Sequence, residues 1–265
     1  MSTLTVTLLQ TSLHWEDPAR NRQALGEKIR GLSQKTEIIF LPEMFTTGFS
    51  MHADKLAEPM DGPSVDWMRQ VAAEKKVVLA GSLIIRENGK NYNRLVWMLP
   101  NGQYGCYDKR HRFGMGGEGD QYTAGIKRVI ASAKGWKVNL QVCYDLRFPV
   151  WARNHADENG QPEYDLLVYV ANWPETRIQA WKTLLTARAI ENQCYVIGLN
   201  RVGTDGMGLS YPGESMVIDP MGEILYNKGG GQEDMPTITL DRARLTEVRQ
   251  KLPFLRDADR FDITL

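Results

Sequence analysis

The chain has 265 residues, and its 32 Lys plus Arg balance its 32 Asp plus Glu, so no net field draws it to nucleic acid or anionic lipid. Three cysteines, Cys106, Cys143 and Cys194, are an odd number without close pairs, which argues against a disulfide framework or a structural zinc site and suits a reducing cytoplasm. No apolar run approaches the roughly 18 to 20 residues that cross a bilayer, and the length is compatible with one α/β domain over 1–265.

MSTLTVTLLQ lacks the basic n-region and cleavage site of a signal peptide, and its Leu4, Val6 and Leu8 alternate as a first strand. Asp17 and Pro18 then start a helix carrying Leu25, Ile29 and Leu32. IIFLPE is a short apolar strand ending at Glu43, and Gly62, Pro63 and Ser64 open a second helix with Val65, Met68 and Val71 on one side. VVLAGSLII, NRLVWML and QYGCYDK read as strands, the last two joined by a Pro-Asn-Gly turn at 100–102, so Lys109 follows a strand.

RVIAS and WKVNLQV form a further strand pair, followed by a helix after Pro149, the strand YDLLVYVAN, and a helix over 178–192 on which Arg188 and Glu191 can pair. CYVIGLN, ESMVIDPMGEILY with its Pro-Met-Gly turn, and TITLD complete the strands, and 245–265 reads as helix, then irregular chain. No linker composition and no repeat of 20 to 50 residues is present. Helices alternate with strands early and hairpins come later, which predicts mixed sheets covered by helices, two of them packed face to face.

The stretch of greatest interest is QVCYDLRFPVWAR at 141–153. Its apolar run stops at Cys143, and Pro149 fits a first helical turn, so the thiol falls on a strand-to-helix elbow at a strand's carboxyl end, where open α/β sheets place ligands. A small buried apolar residue is the competing reading of Cys143. Singly, Glu43 reads equally as a turn carboxylate and Lys109 as a solvated surface lysine. Strand ends of one sheet edge converge on one pocket, however, and these two charges each end an apolar strand.

Other constellations fail. Gly114, Gly116 and Gly119 satisfy G-x-G-x-x-G without the strand before and helix after that a dinucleotide needs, so the glycines read as a loop bringing Glu118 near a site. His14, His52, His111 and His155 are isolated, no metal-ligand spacing occurs, and no G-x-S-x-G elbow is present. No cofactor is expected.

Together, FLPEMFTTGF, YDKRHRF, VCYDLRFP, VANWP and ARAIENQ resemble the nitrilase, or carbon–nitrogen hydrolase, superfamily over nearly the whole chain, and FTTGF, CYDLRFP and VANWP look most like its omega-amidase branch. The resemblance implies a four-layer α-β-β-α sandwich of two mixed sheets flanked by helices, dimeric through helices near the cysteine elbow. It implies a Glu-Lys-Cys triad with Cys143 as nucleophile, Glu43 as general base and acid, Lys109 as oxyanion stabiliser and Glu118 as a fourth, supporting glutamate. Branch members hydrolyse the terminal amide of 2-oxoglutaramate and 2-oxosuccinamate. Arg112 departs from the apolar residue often found after the histidine of the lysine motif.

With ordinary thiol and carboxylate values, moving a proton from Cys143 to Glu43 costs roughly 6 kcal/mol. Lys109 lowers both partners, so burial and a second negative charge, that of Glu118, must favour the carboxylic acid. The backbone N–H of Tyr144 is expected to help hold the oxyanion. Arg147 is the expected partner of the substrate carboxylate, unless it pairs with Asp145, and Phe49 and Trp173 are expected apolar walls. A nitrilase or amidase for another small linear nitrile, amide or carbamoyl compound is the rival enzyme, and a catalytically silent binding protein of the same fold is the rival of another class.

Overall fold

Alternation in the opening strands sorts their side chains between two environments, and the layers follow from that sorting. The computed structural model describes residues 2–264. Its first half runs β1 (Thr3–Leu8), α1 (Pro18–Arg30), β2 (Ile38–Phe40), α2 (Ala53–Leu56), α3 (Pro63–Lys75), β3 (Val78–Glu87), β4 (Lys90–Met98), β5 (Tyr104–Asp108) and α4 (Glu118–Gln121). The second half runs β6 (Ile130–Ala133), β7 (Trp136–Val142), α5 (Pro149–Ala152), β8 (Leu166–Ala171), α6 (Ile178–Asn192), β9 (Tyr195–Asn200), a ribbon of β10 (Val202–Thr204) and β11 (Ser210–Pro212), then β12 (Ser215–Ile218) and β13 (Ile224–Lys228). β14 (Thr237–Asp241) and α7 (Arg242–Lys251) close the chain.

Two six-stranded sheets result, ordered β14-β1-β2-β3-β4-β5 and β13-β12-β9-β8-β7-β6. In the first, β1, β2 and β3 are parallel and their flanks antiparallel. In the second, β7, β8 and β9 are the parallel trio, with antiparallel flanks. Read outward from β14 and from β6, the two sheets have the same succession of senses. Parallel neighbours require crossovers, and α1, α3 and α6 supply the long ones.

Period-two alternation decides which layer each residue joins. Ile38 and Phe40 enter the core shared with the second sheet, whereas Ile39 and Leu41 pack with Leu25 and Ile29 of α1 and Val65 and Met68 of α3. On the far side, Trp181, Leu185 and Ala189 of α6 join the core that includes β8 and β9. The layers are therefore α, β, β, α, as expected. Asp17 caps α1 by accepting from the Arg20 N–H at 3.0 Å, and Asp241 caps α7 by accepting from Ala243 N–H at 2.8 Å.

Several boundaries differ from the sequence reading. β2 stops at Phe40, three residues before Glu43; Leu32 lies beyond α1; and Cys194 sits one residue outside β9. The last helix starts at Arg242 rather than near Leu245 because Asp241 caps it. The β10–β11 ribbon and the one-turn α2 were not foreseen, since three- and four-residue elements carry no period to read. Leu265, the end of the predicted tail, lies outside the described residues.

Candidate active site

The site is built where the two sheets meet, at the carboxyl ends of their parallel strands. Glu43 and Lys109 follow strands of the first sheet and Cys143 follows a strand of the second, so the pocket lies between two sheet edges. The turn bearing Glu43 is fixed on β3, with Leu41 N–H donating to Ala80 O at 2.7 Å, Met44 N–H to Ser82 Oγ at 2.8 Å and Phe45 N–H to Ser82 O at 3.1 Å. Lys109 follows β5 directly, its N–H donating to Asn93 O at 2.9 Å. Cys143 follows β7 and has φ of 45°, a left-handed conformation that costs free energy for a non-glycine residue and accumulates at functional turns.

Glu43, Lys109 and Glu118 are fully buried and form one ion cluster. The Lys109 ammonium lies 2.9 Å from Glu43 Oε1 and 3.0 and 2.9 Å from the two Glu118 oxygens. Asn93 Nδ2 donates to Glu43 Oε1 at 2.8 Å and to Glu118 Oε1 at 3.3 Å. The other Glu43 oxygen accepts from the Asn172 backbone N–H at 2.8 Å, and the Asn172 carbonyl lies 3.9 Å from Cys143 Sγ. Asn172 thus joins the thiol to the carboxylate side of the cluster.

Glu118 opens α4 behind Gly117, whose φ of 75° needs glycine. Its Oε2 accepts the Phe113 N–H at 2.6 Å. Arg112, the departure noted in the lysine motif, donates to Gly119 O at 3.0 Å and Tyr122 O at 3.1 Å, so it braces this glycine-rich loop.

Burial pushes the Cys143 thiol well above its ordinary value, and the charges of Glu43 and Glu118 push the same way against Lys109. For Lys109 burial acts to release the proton, but Glu118 and Glu43 outweigh it and hold the ammonium well above the lysine range. Burial and then the Glu43 charge raise Glu118, with Lys109 opposing.

Cys143 lies on the wall of a cavity of about 330 Å³. Phe49, Tyr144, Arg147 and Trp173 also line it. Phe49 lies 5.2 Å from the Lys109 ammonium, and Tyr144 meets Phe113 edge-on at 5.1 Å. Arg147 does not pair with Asp145; its guanidinium lies 4.9 Å from the Trp173 ring centre. Asp145 is instead buried, accepting from Tyr107 Oη at 2.8 Å, Val142 N–H at 3.0 Å and His111 N–H at 2.9 Å, with His111 Nδ1 at 2.8 Å. His111 is thus a structural partner that ties the lysine loop to the cysteine elbow. The Arg188–Glu191 pair forms at 2.9 Å, and Arg188 also donates to Leu146 O at 2.6 Å, tying α6 to that elbow.

Sequence reasoning missed Asn93, Asn172, Asp145 and Arg177, which also lines the cavity. Asn172 carried a signal, as the polar residue directly after the wholly buried β8. Asn93 carried none, because a polar residue early in a hairpin strand reads as solvent-facing.

The profile of the carbon–nitrogen hydrolase family matches residues 5–250. The chain belongs to that family. This carbon–nitrogen hydrolase is 44% identical over 261 residues to the omega-amidase YafV of Escherichia coli K12, covering 98% of this chain and 99% of that one. It is 32% identical over 256 residues to the 2-oxoglutaramate amidase of Bacillus subtilis 168, covering 96% of each. The crystal structure of XC1258 from Xanthomonas campestris, a CN-hydrolase superfamily protein with an arsenic adduct in its active site, matches with a TM-score of 0.97 at 46% identity over 100% of both chains. Among the described residues no cluster of potential metal ligands occurs, and no helix is long and apolar enough to cross a membrane.

Proposed function

We propose that this carbon–nitrogen hydrolase is an omega-amidase, hydrolysing the terminal amide of small 2-oxo dicarboxylic monoamides such as 2-oxoglutaramate to the 2-oxo acid and ammonia. The observation that carries the chemistry is a pair of buried carboxylates sharing one ammonium beside a cavity whose wall holds a thiol. The near full-length likeness to the amidases named above supports the substrate class.

In this reading Glu43 Oε2, the oxygen on the Asn172 side, takes the Cys143 proton while Sγ attacks the amide carbon. That transfer leaves the cluster's total charge unchanged. It also relieves the repulsion between Glu43 and Glu118, and the new thiolate stays near Lys109, which is how the roughly 6 kcal/mol gap between an ordinary thiol and carboxylate closes. Once protonated, Glu43 holds Lys109 less strongly, and an ammonium N–H becomes free for the oxyanion, alongside the Tyr144 backbone N–H. Glu43 returns the proton to the leaving nitrogen, ammonia departs, and a thioester remains. Water, deprotonated by Glu43, attacks the thioester carbon; the thiolate leaves and recovers its proton. Arg147 faces the substrate carboxylate, and Phe49 and Trp173 form apolar walls.

A homodimer and a cytoplasmic setting belong to the same proposal. Val150 of α5, just past the elbow, and Ile190 of α6 are each about half exposed, and three free thiols suit a reducing compartment. The deciding assay is ammonia release from 2-oxoglutaramate, a linear nitrile and a carbamoyl compound measured side by side. The 2-oxo amide should be preferred, and Cys143→Ala should abolish turnover with its circular dichroism unchanged; residual turnover by that variant would exclude the thioester route.

A further inference from the structure

Two cations reach the cavity wall, Arg147 and Arg177. Neither forms an ion pair or a side-chain hydrogen bond among the described residues; each guanidinium lies over an aromatic ring, Arg147 over Trp173 at 4.9 Å and Arg177 over Phe113 at 5.0 Å. The carboxylates on the same wall are engaged. Glu16 holds His52 Nδ1 at 2.7 Å and the Ser50 hydroxyl, and Asp205 accepts from Met207 N–H and Leu209 N–H, each at 2.9 Å, and from Tyr211 Oη at 2.8 Å.

A cavity with largely apolar walls therefore presents two half-buried positive charges with no counter-ion of their own. Such an arrangement favours an anionic ligand. Arg177 is also held in place from below: its carbonyl accepts the Trp173 indole N–H at 2.9 Å and its N–H donates to Pro174 O at 3.0 Å. The ring it lies on belongs to the residue whose N–H holds Glu118.

Resting on the omega-amidase reading, we infer that Arg177 is a second specificity-determining residue, acting with Arg147 on the 2-oxo acid head of the substrate. That head offers three acceptor oxygens, two on the carboxylate and one on the adjacent keto group. One guanidinium fork engages two of them, and a second cation is needed for the third. The same pair disfavours an amide of a 2-amino acid, which carries an ammonium on that carbon. The site then selects the deaminated amide over glutamine by electrostatics, without a steric filter.

The test is steady-state kinetics of wild type, R177A, R177K and R147A on 2-oxoglutaramate, glutamine and pentanamide, the last an uncharged amide of equal chain length. R177A should raise KM for 2-oxoglutaramate about 10- to 100-fold, with kcat changed by less than about 3-fold and pentanamide turnover unaltered. Its preference for 2-oxoglutaramate over glutamine should narrow, and R177K should recover part of the loss. A KM for 2-oxoglutaramate within about 2-fold of wild type in R177A overturns the role of Arg177. If R177A also loses pentanamide turnover, R177Q gives the deciding KM, because it keeps a side chain on Phe113. A wild type that does not prefer 2-oxoglutaramate to pentanamide refutes the substrate reading instead, separately from Arg177.

Discussion

Lys109 is buried between two carboxylates, and that ratio sets the chemistry expected of each residue. Glu118→Gln keeps the shape of the side chain and removes one charge, so Glu43 becomes a poorer base for the thiol. Its kcat should fall by about 100-fold or more with little change in melting temperature, as steady-state kinetics and thermal unfolding would report. Burial, and after it the charge of Glu43, pushes the Cys143 thiol upward, so the thiol is expected to stay protonated in the free enzyme. The difference in far-ultraviolet thiolate absorbance between wild type and Cys143→Ser should therefore stay flat up to about pH 9; a thiolate signal near neutral pH would show that Lys109 dominates the cluster.

Elements are held against one another by contacts that leave little slack. Gly198 lies in β9 under α6, and a Cβ there would come within 2.3 Å of Leu185 Cδ1 and 2.8 Å of Trp181 Cζ2. Gly198→Ala should cost about 1 to 3 kcal/mol by overpacking, seen as a lower denaturant midpoint. Glu233 ties the chain before β14 to the opening segment and to α1. It accepts from Ser12 N–H at 2.9 Å and Thr11 Oγ1 at 2.7 Å and pairs with Lys28 at 2.5 Å. Partial burial works to raise its carboxyl, but these partners outweigh that and hold it at about 2. Because the folded value is depressed, the stabilisation is present above the ordinary value of 4.5 and is lost as pH falls from there toward 2. The pair is substantially exposed, so Glu233→Gln should lower the melting temperature at neutral pH by only about 2 to 4 °C, and the gap should close in that acid window.

At the scale of the molecule, two sheets with the same succession of strand senses place the carboxyl ends of both parallel trios at one site, and the helices are left on the outer faces. The expected dimer would use the outer face around α5 and α6, where Val150 and Ile190 lie half exposed. Sedimentation should give twice the mass of one chain, and Val150→Glu with Ile190→Glu should give a monomer, since two buried carboxylates at a symmetric interface are each repeated by the two-fold. A wild type that sediments as a monomer would exclude that assembly.

What the sequence determined by itself were properties that depend on neighbours along the chain. Alternation at Leu4, Val6 and Leu8, the Asp17 cap, the hairpin turns and the stop at Cys143 are all local, and each appears in the fold. The motifs around Glu43, Lys109 and Cys143 were legible too, because each ends an apolar run with a reactive or charged group, whereas Glu118 was legible only from its glycine-rich loop and the family resemblance. Which groups touch was decided only by tertiary structure. Asn93 reaches both carboxylates across a hairpin, Asp145 takes His111 rather than Arg147, and Arg177 stands over Phe113 far from it in sequence. These partnerships are satisfied in three dimensions by whichever donors the packing of two sheets brings within reach, and no periodicity along one strand or helix records them.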